Sequence, residues 1–127
     1  MTDYYPLSLP TIGDFAEAAF DYRMTISSDK IFYKALINAY SSLNEAWSME
    51  QLDPYYTMSN IEVALFTLNL AKIITLEEHN EYHARCDQEP RMLVIKSLYE
   101  LCWQKLGYVL LYENTTHSSI CVPTKVS

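Results

Sequence analysis

Four times along the chain a hydroxyl residue stands directly ahead of a stretch with helical apolar spacing: Thr11 in TIGD, Ser28 in SDKI, Ser59 in SNIE and Thr75 in TLEE. At Thr11, Ser59 and Thr75 an acid follows three residues on. In that pattern the hydroxyl accepts from a first-turn amide while the acid reaches back to the cap amide. Behind Thr11, residues Ile12, Phe15, Ala19 and Tyr22 make one stripe to about Met24, and behind Ser28, Phe32, Leu36, Ala39, Leu43 and Trp47 make another. Residues 61–74, IEVALFTLNLAKII, are apolar nearly all round and predict a central helix packed on by the others. Pro90 opens a further helix with Ile95, Leu98, Cys102 and Leu106 on one face, and Gly107 stops it.

Beyond Gly107 the pattern changes. YVLLYE (108–113) and SSICVP (118–123) flank the turn-forming NTTH, which predicts a short hairpin that must lie against the helices to be stable. The expected fold is mainly α: one domain, a bundle of about five helices, a helical turn around SMEQLDP, and a short C-terminal β-hairpin or extended tail. Residues 1–113 form the helical domain, and 114–127 are the turn and the C-terminal strand or flexible tail of the same domain. At 127 residues, half apolar and 20% charged, the chain can bury a core without metals or disulfides.

Composition narrows the function. Two glycines, Gly13 and Gly107, are too few for phosphate-cradling loops, dinucleotide fingerprints or nucleophile elbows. Three scattered cysteines without a Cys-x-x-Cys pair predict reduced thiols in a cytoplasm rather than a disulfide framework. The N-terminus lacks the layout of a secretory signal, and no run is long and apolar enough to span a membrane.

The segment TLEEHNEYHARCD (75–87) holds two of the three histidines. On one helix, Leu76, His79, His83 and Cys86 form a stripe, with Glu77, Glu78, Glu81 and Arg85 turned to solvent. His79 and His83 at i and i+4 are a familiar pair of metal ligands, but Cys86 lies roughly 10 Å from His79 along the axis, too far to share the ion. The stripe therefore reads as the half-buried face of a surface helix, and no metal or cofactor is expected. LAKIITLEEHNEYHARC resembles the helix, Ile-Thr-x-Glu-Glu turn and short helix of many small bacterial and phage-encoded proteins, including oligomerisation modules. That resemblance implies a docking or self-association hairpin.

Catalysis is not expected. Cys102 sits on an apolar stripe as an inert thiol, and Cys121 with His117 reads as a strand residue beside a turn residue. The acid pairs Glu77–Glu78, Asp87–Glu89 and Glu50–Asp53 stand at helix starts or turns, where acids cap and complement the helix dipole. Eleven tyrosines favour half-buried positions and interfaces, and Tyr4–Tyr5 and Tyr55–Tyr56 lie in expected non-helical segments as a lid or a contact surface.

Charge is unevenly placed. Residues 1–41 sum to −2 (five acids, three bases), 42–90 to −7 (nine, two) and 91–127 to +2 (two, four), and no Lys or Arg occurs between Ala35 and Ala71. An acidic surface repels nucleic acid and anionic membranes and favours a basic partner. The expectation is a non-enzymatic binding protein that docks residues 45–89 on a basic protein or ribonucleoprotein complex that handles nucleic acid, and inhibits it. A phage anti-defence protein, such as an anti-CRISPR or anti-restriction inhibitor, or a toxin immunity protein would fit. Expected contacts are Glu45, Glu50, Asp53, Tyr55, Tyr56, Glu77, Glu78 and Glu81. The alternative is a helical oligomerisation or scaffolding protein, including a homodimer, and a third reading is metal binding through His79 and His83.

Overall fold

A computed structural model describes residues 7–25, 30–50, 52–114 and 119–126. The Ser28 helix start, the Tyr4–Tyr5 pair and the turn at 115–118 with His117 lie outside the described residues. Among the described residues the fold is a mainly α single domain of five helices followed by an antiparallel hairpin.

Helix α1 (Ile12–Thr25) begins at a reciprocal cap: Thr11 Oγ1 accepts from the Asp14 amide at 3.1 Å, and Asp14 Oδ2 accepts from the Thr11 amide at 3.1 Å. Phe15 and Ala19 are buried, with Ile12 and Tyr22 at the margin of the core, so the expected stripe is the packed face. Helix α2 (Lys30–Met49) buries Leu36, Ala39 and Leu43 of its stripe, and Tyr33, Tyr40 and Ala46 beside it.

The next helix departs from expectation at both ends. Helix α3 spans Pro54–Leu70, so Ser59 is interior to it and caps nothing. The cap is Asp53, whose side chain accepts from the Tyr56 amide at 3.0 Å. Proline follows it at the first helical position, where fixed φ and the missing N–H suit a helix start. The helix stops four residues early because Lys72 adopts φ +60°, which lets the Lys72 and Ile73 amides donate back to the Asn69 and Leu68 carbonyls at 2.9 Å each. Nor is α3 the packed centre: Ile61, Ala64, Leu65 and Leu68 are buried, but Val63, Phe66 and Leu70 are 52%, 62% and 72% exposed. The central helix is α2, which packs on α1, α3 and α5.

Helix α4 (Leu76–Gln88) starts at the expected Thr75–Glu78 capping box and runs back along α3. Helix α5 (Arg91–Lys105) follows Pro90, buries all four residues of its expected face and ends before Gly107 at φ +86°. Strands β2 (Tyr108–Asn114) and β3 (Ser119–Lys125) pair antiparallel, Leu111 opposite Val122. An unforeseen two-residue strand, β1 (Leu7–Ser8), joins β3 in parallel, giving the sheet order β1-β3-β2.

The core centres on an aromatic cluster. Phe15 stacks on Tyr40 with ring centroids 4.1 Å apart, and the edge of Trp103 meets Phe15 at 5.1 Å. Tyr40 donates to the Pro10 carbonyl at 2.6 Å and accepts from Trp103 Nε1 at 3.1 Å, while Tyr99 donates to Asn44 at 2.9 Å. Buried polar ends that are satisfied in this way hold the rings in one arrangement at little cost. The hairpin is fastened to α5 by Trp103 against Tyr108, by Tyr112 donating to Glu100 at 2.7 Å and by Lys96 over the Tyr112 ring.

Candidate partner-binding surface

The eight expected contact residues form two groups. The first surrounds the α2–α3 turn: Glu45 is exposed on α2, Glu50 is half-buried, Asp53 is exposed, and Tyr55 and Tyr56 open α3. Leu52, not foreseen, is 76% exposed beside Tyr55 at 89%. The Leu52 and Asp53 amides donate to the Met49 carbonyl at 3.0 and 2.8 Å, which ties the start of α3 to the end of α2. Tyr55 and Tyr56 are helical rather than in the irregular segment expected from the sequence, because the cap lies before them.

The second group is at the start of α4. Glu77 and Glu81 are exposed, whereas Glu78 is half-buried and occupied by the Thr75 cap. Leu76, Glu77, Asn80, Glu81 and Ala84 line a shallow open hollow of about 550 Å³. Leu76 is thus an outward residue, contrary to its expected place at the head of a half-buried face. The inward side of α4 is carried by Tyr82 and Cys86, which pack on the core, while His79 and His83 are half-buried along one flank of that side.

Because α4 returns along α3, with His83 Nε2 3.6 Å from Glu62 Oε1, the two groups stand at opposite ends of α3, about 20 Å apart along its axis. One copy of the chain does not merge them into one patch.

Candidate chemical groups are placed as follows. The rings of His79 and His83 stack with centroids 6.4 Å apart, and His79 Nδ1 lies 3.2 Å from Asn80 Oδ1. Among the described residues no group of three or more His, Cys, Asp or Glu side chains could hold a metal ion. Burial raises all three thiols, pushing Cys102 up to about 12, and so disfavours the reactive thiolate. The Arg85 guanidinium, expected to face solvent, donates to Glu89 at 2.6 Å and to Ser97 at 3.1 Å, tying the end of α4 to α5. Among the acids of the chain's middle third, Asp53 and Glu78 serve as caps, Glu89 holds Arg85, Glu62 lies beside His83, and Glu45, Glu77, Glu81 and Asp87 are exposed.

What sequence reasoning missed is the outward row Val63, Phe66, Leu70. Its signal was available in the alternating three- and four-residue spacing from Tyr56 onward, hidden by equally apolar residues on the buried side. Comparison with protein-family models, curated proteins and solved structures finds no match to this chain. Among the described residues no helix is long and apolar enough to cross a membrane.

Proposed function

We propose that the protein is a small acidic, cytoplasmic, non-enzymatic binding protein that inhibits a basic, nucleic-acid-handling protein or ribonucleoprotein complex by covering its surface. The observation that carries this reading is the corner between α2 and α3. There Leu52 and Tyr55 are exposed beside Glu50 and Asp53, next to a turn whose Leu52 and Asp53 amides donate to Met49. An exposed aromatic on a helical backbone, as Tyr55 is, loses little conformational freedom on docking, and such residues dominate interface energetics. The surrounding carboxylates add attraction and faster encounter with a positive surface. The hollow at the start of α4, with Leu76 among Glu77 and Glu81, repeats the combination of an apolar contact among acids. A phage inhibitor of a host defence nuclease or CRISPR complex, or an immunity protein for a nuclease toxin, has this requirement.

The test is affinity capture from bacterial lysate with the tagged chain at low and moderate salt, with retained proteins identified by mass spectrometry. The expected result is a basic nucleic-acid-handling protein or complex held at about 50 mM salt and lost by about 500 mM, where screening is within a few ångströms. Recovery of the bait alone at both salts contradicts the reading.

A further inference from the structure

The exposed row of α3 has the spacing of a helix-pairing seam. Tyr56, Ser59, Val63, Phe66 and Leu70 follow one another at alternating steps of three and four residues, all exposed. This is the a/d pattern that packs one helix against another, here facing outward from a domain whose own core is already filled from the opposite side of α3. Thr67, Leu70 and Ala71 of α3, together with Lys34 and Asn38 of α2, line a groove that extends the face onto α2.

We propose that a second copy of this chain covers the row, with the two α3 helices antiparallel across a two-fold axis beside residues 64 and 65. Two independent features locate the same axis. In the seam, antiparallel pairing about that point sets Val63 against Phe66 of the second copy and Leu70 against Ser59 of the second copy. Each large side chain then faces a smaller one, as interdigitated packing requires. In the charges, the outer row of α2 carries Lys34 near one end and Glu45 near the other, about 16 Å apart, with uncharged Asn38 and Ser41 between them. The α2–α3 register is fixed by the Thr57 hydroxyl donating to the Ala46 carbonyl at one end and by the Lys34–Leu70 groove at the other. That register places the midpoint of Lys34 and Glu45 beside Val63 and Ala64, within about one residue of the seam's centre. A single rotation therefore brings each Lys34 to Glu45 of the other copy.

The same rotation sets Asp53, at the start of α3, toward Lys72, at the end of α3 in the second copy. Parallel pairing would instead place Asp53 near Asp53 and Lys72 near Lys72. At these two positions, and at Lys34 and Glu45, the antiparallel arrangement sets unlike charges together. Two adjacent helices about 25–30 Å long offer a face in the range of the smaller specific interfaces, so micromolar affinity is expected.

The test uses the purified chain alone, in sedimentation equilibrium from about 1 to 100 μM, and so is independent of any foreign partner. The expected result is reversible dimerisation to twice 14.8 kDa. Phe66→Glu raises the dissociation constant about thirtyfold or more while leaving the circular dichroism spectrum unchanged. Lys34→Glu and Glu45→Lys each weaken the dimer about tenfold, since each acts twice across the axis, and the double variant restores it. A wild-type chain that stays monomeric at 100 μM overturns the proposal and leaves the row to a helix of another protein. A dimer indifferent to Phe66→Glu overturns it by placing the interface elsewhere, and a double variant weaker than both singles overturns the antiparallel pairing.

Discussion

Lys72 occupies the left-handed position that ends α3, where glycine is the usual residue. A side chain at φ +60° carries strain that glycine avoids, while glycine loosens the unfolded chain. Strain relief is the larger effect at a surface turn, so Lys72→Gly is expected to stabilise the fold by about 0.5–1 kcal/mol in urea titration. The turn that precedes the Ile-Thr segment thus forms without glycine, and nothing in the local sequence marks it. Titration gives a second residue-scale prediction. Burial raises Cys102 from about 9 to about 12, and it raises the Tyr40 and Tyr99 hydroxyls as well. The unfolded chain then ionises first, so the stability these groups contribute is fully present below about pH 9 and is lost as pH rises. Above that point the slope approaches about 1.4 kcal/mol per pH unit for each group ionised in the unfolded state alone. Guanidinium melts at pH 8 and about pH 10.5 check the direction; equal stability at both would contradict it.

At the scale of elements, α1, α2 and α5 were legible because their apolar stripe coincides with the buried face, and α4 because its capping box marks its start, though Leu76 faces outward. Helix α3 was misread because Ser59 and Glu62 satisfy the same local pattern as the working caps at Thr11 and Thr75. Only the neighbouring Asp53–Pro54 pair, which wins by ordering the chain one and a half turns earlier, settles the start. The two-residue β1 had no local signal at all, since its register is defined by a strand more than 100 residues away in sequence. Mutation separates the two α3 starts: Asp53→Ala is expected to cost about 1 kcal/mol in stability, and Ser59→Ala less than about 0.5 kcal/mol. Comparable losses at both positions would contradict the assigned cap. For the hairpin, Tyr112→Phe removes the bond to Glu100 and is expected to cost about 1 kcal/mol, read as a lower thermal midpoint.

The whole molecule is a helical core with two acidic, partly apolar corners at opposite ends of α3. Of the expected contact residues, Glu45, Asp53, Tyr55, Tyr56, Glu77 and Glu81 are exposed and Glu50 and Glu78 half-buried; charge and residue type are local properties that a sequence displays. Sequence reading could not find Leu52, Leu76 or the α3 row, because apolar residues declare themselves exposed only once the packed faces are known. The proposed dimer connects the corners: antiparallel α3 helices set the α2–α3 turn of one copy at the same end as the α4 start of the other. Glu50, Asp53 and Tyr55 of one chain then share an end with Glu77 and Glu81 of its partner, while Glu45 and Tyr56 belong to the contact between copies. The measurement that tests the central claim most directly compares low-salt capture by the wild-type chain with capture by a variant carrying Glu50→Lys, Tyr55→Ala, Glu77→Lys and Glu81→Lys. All four changes avoid buried core positions, so the variant is expected to melt within a few degrees of wild type. A basic partner retained by the wild type and lost by the folded variant is the predicted outcome. Equal retention by both would place binding elsewhere on the molecule and contradict the account.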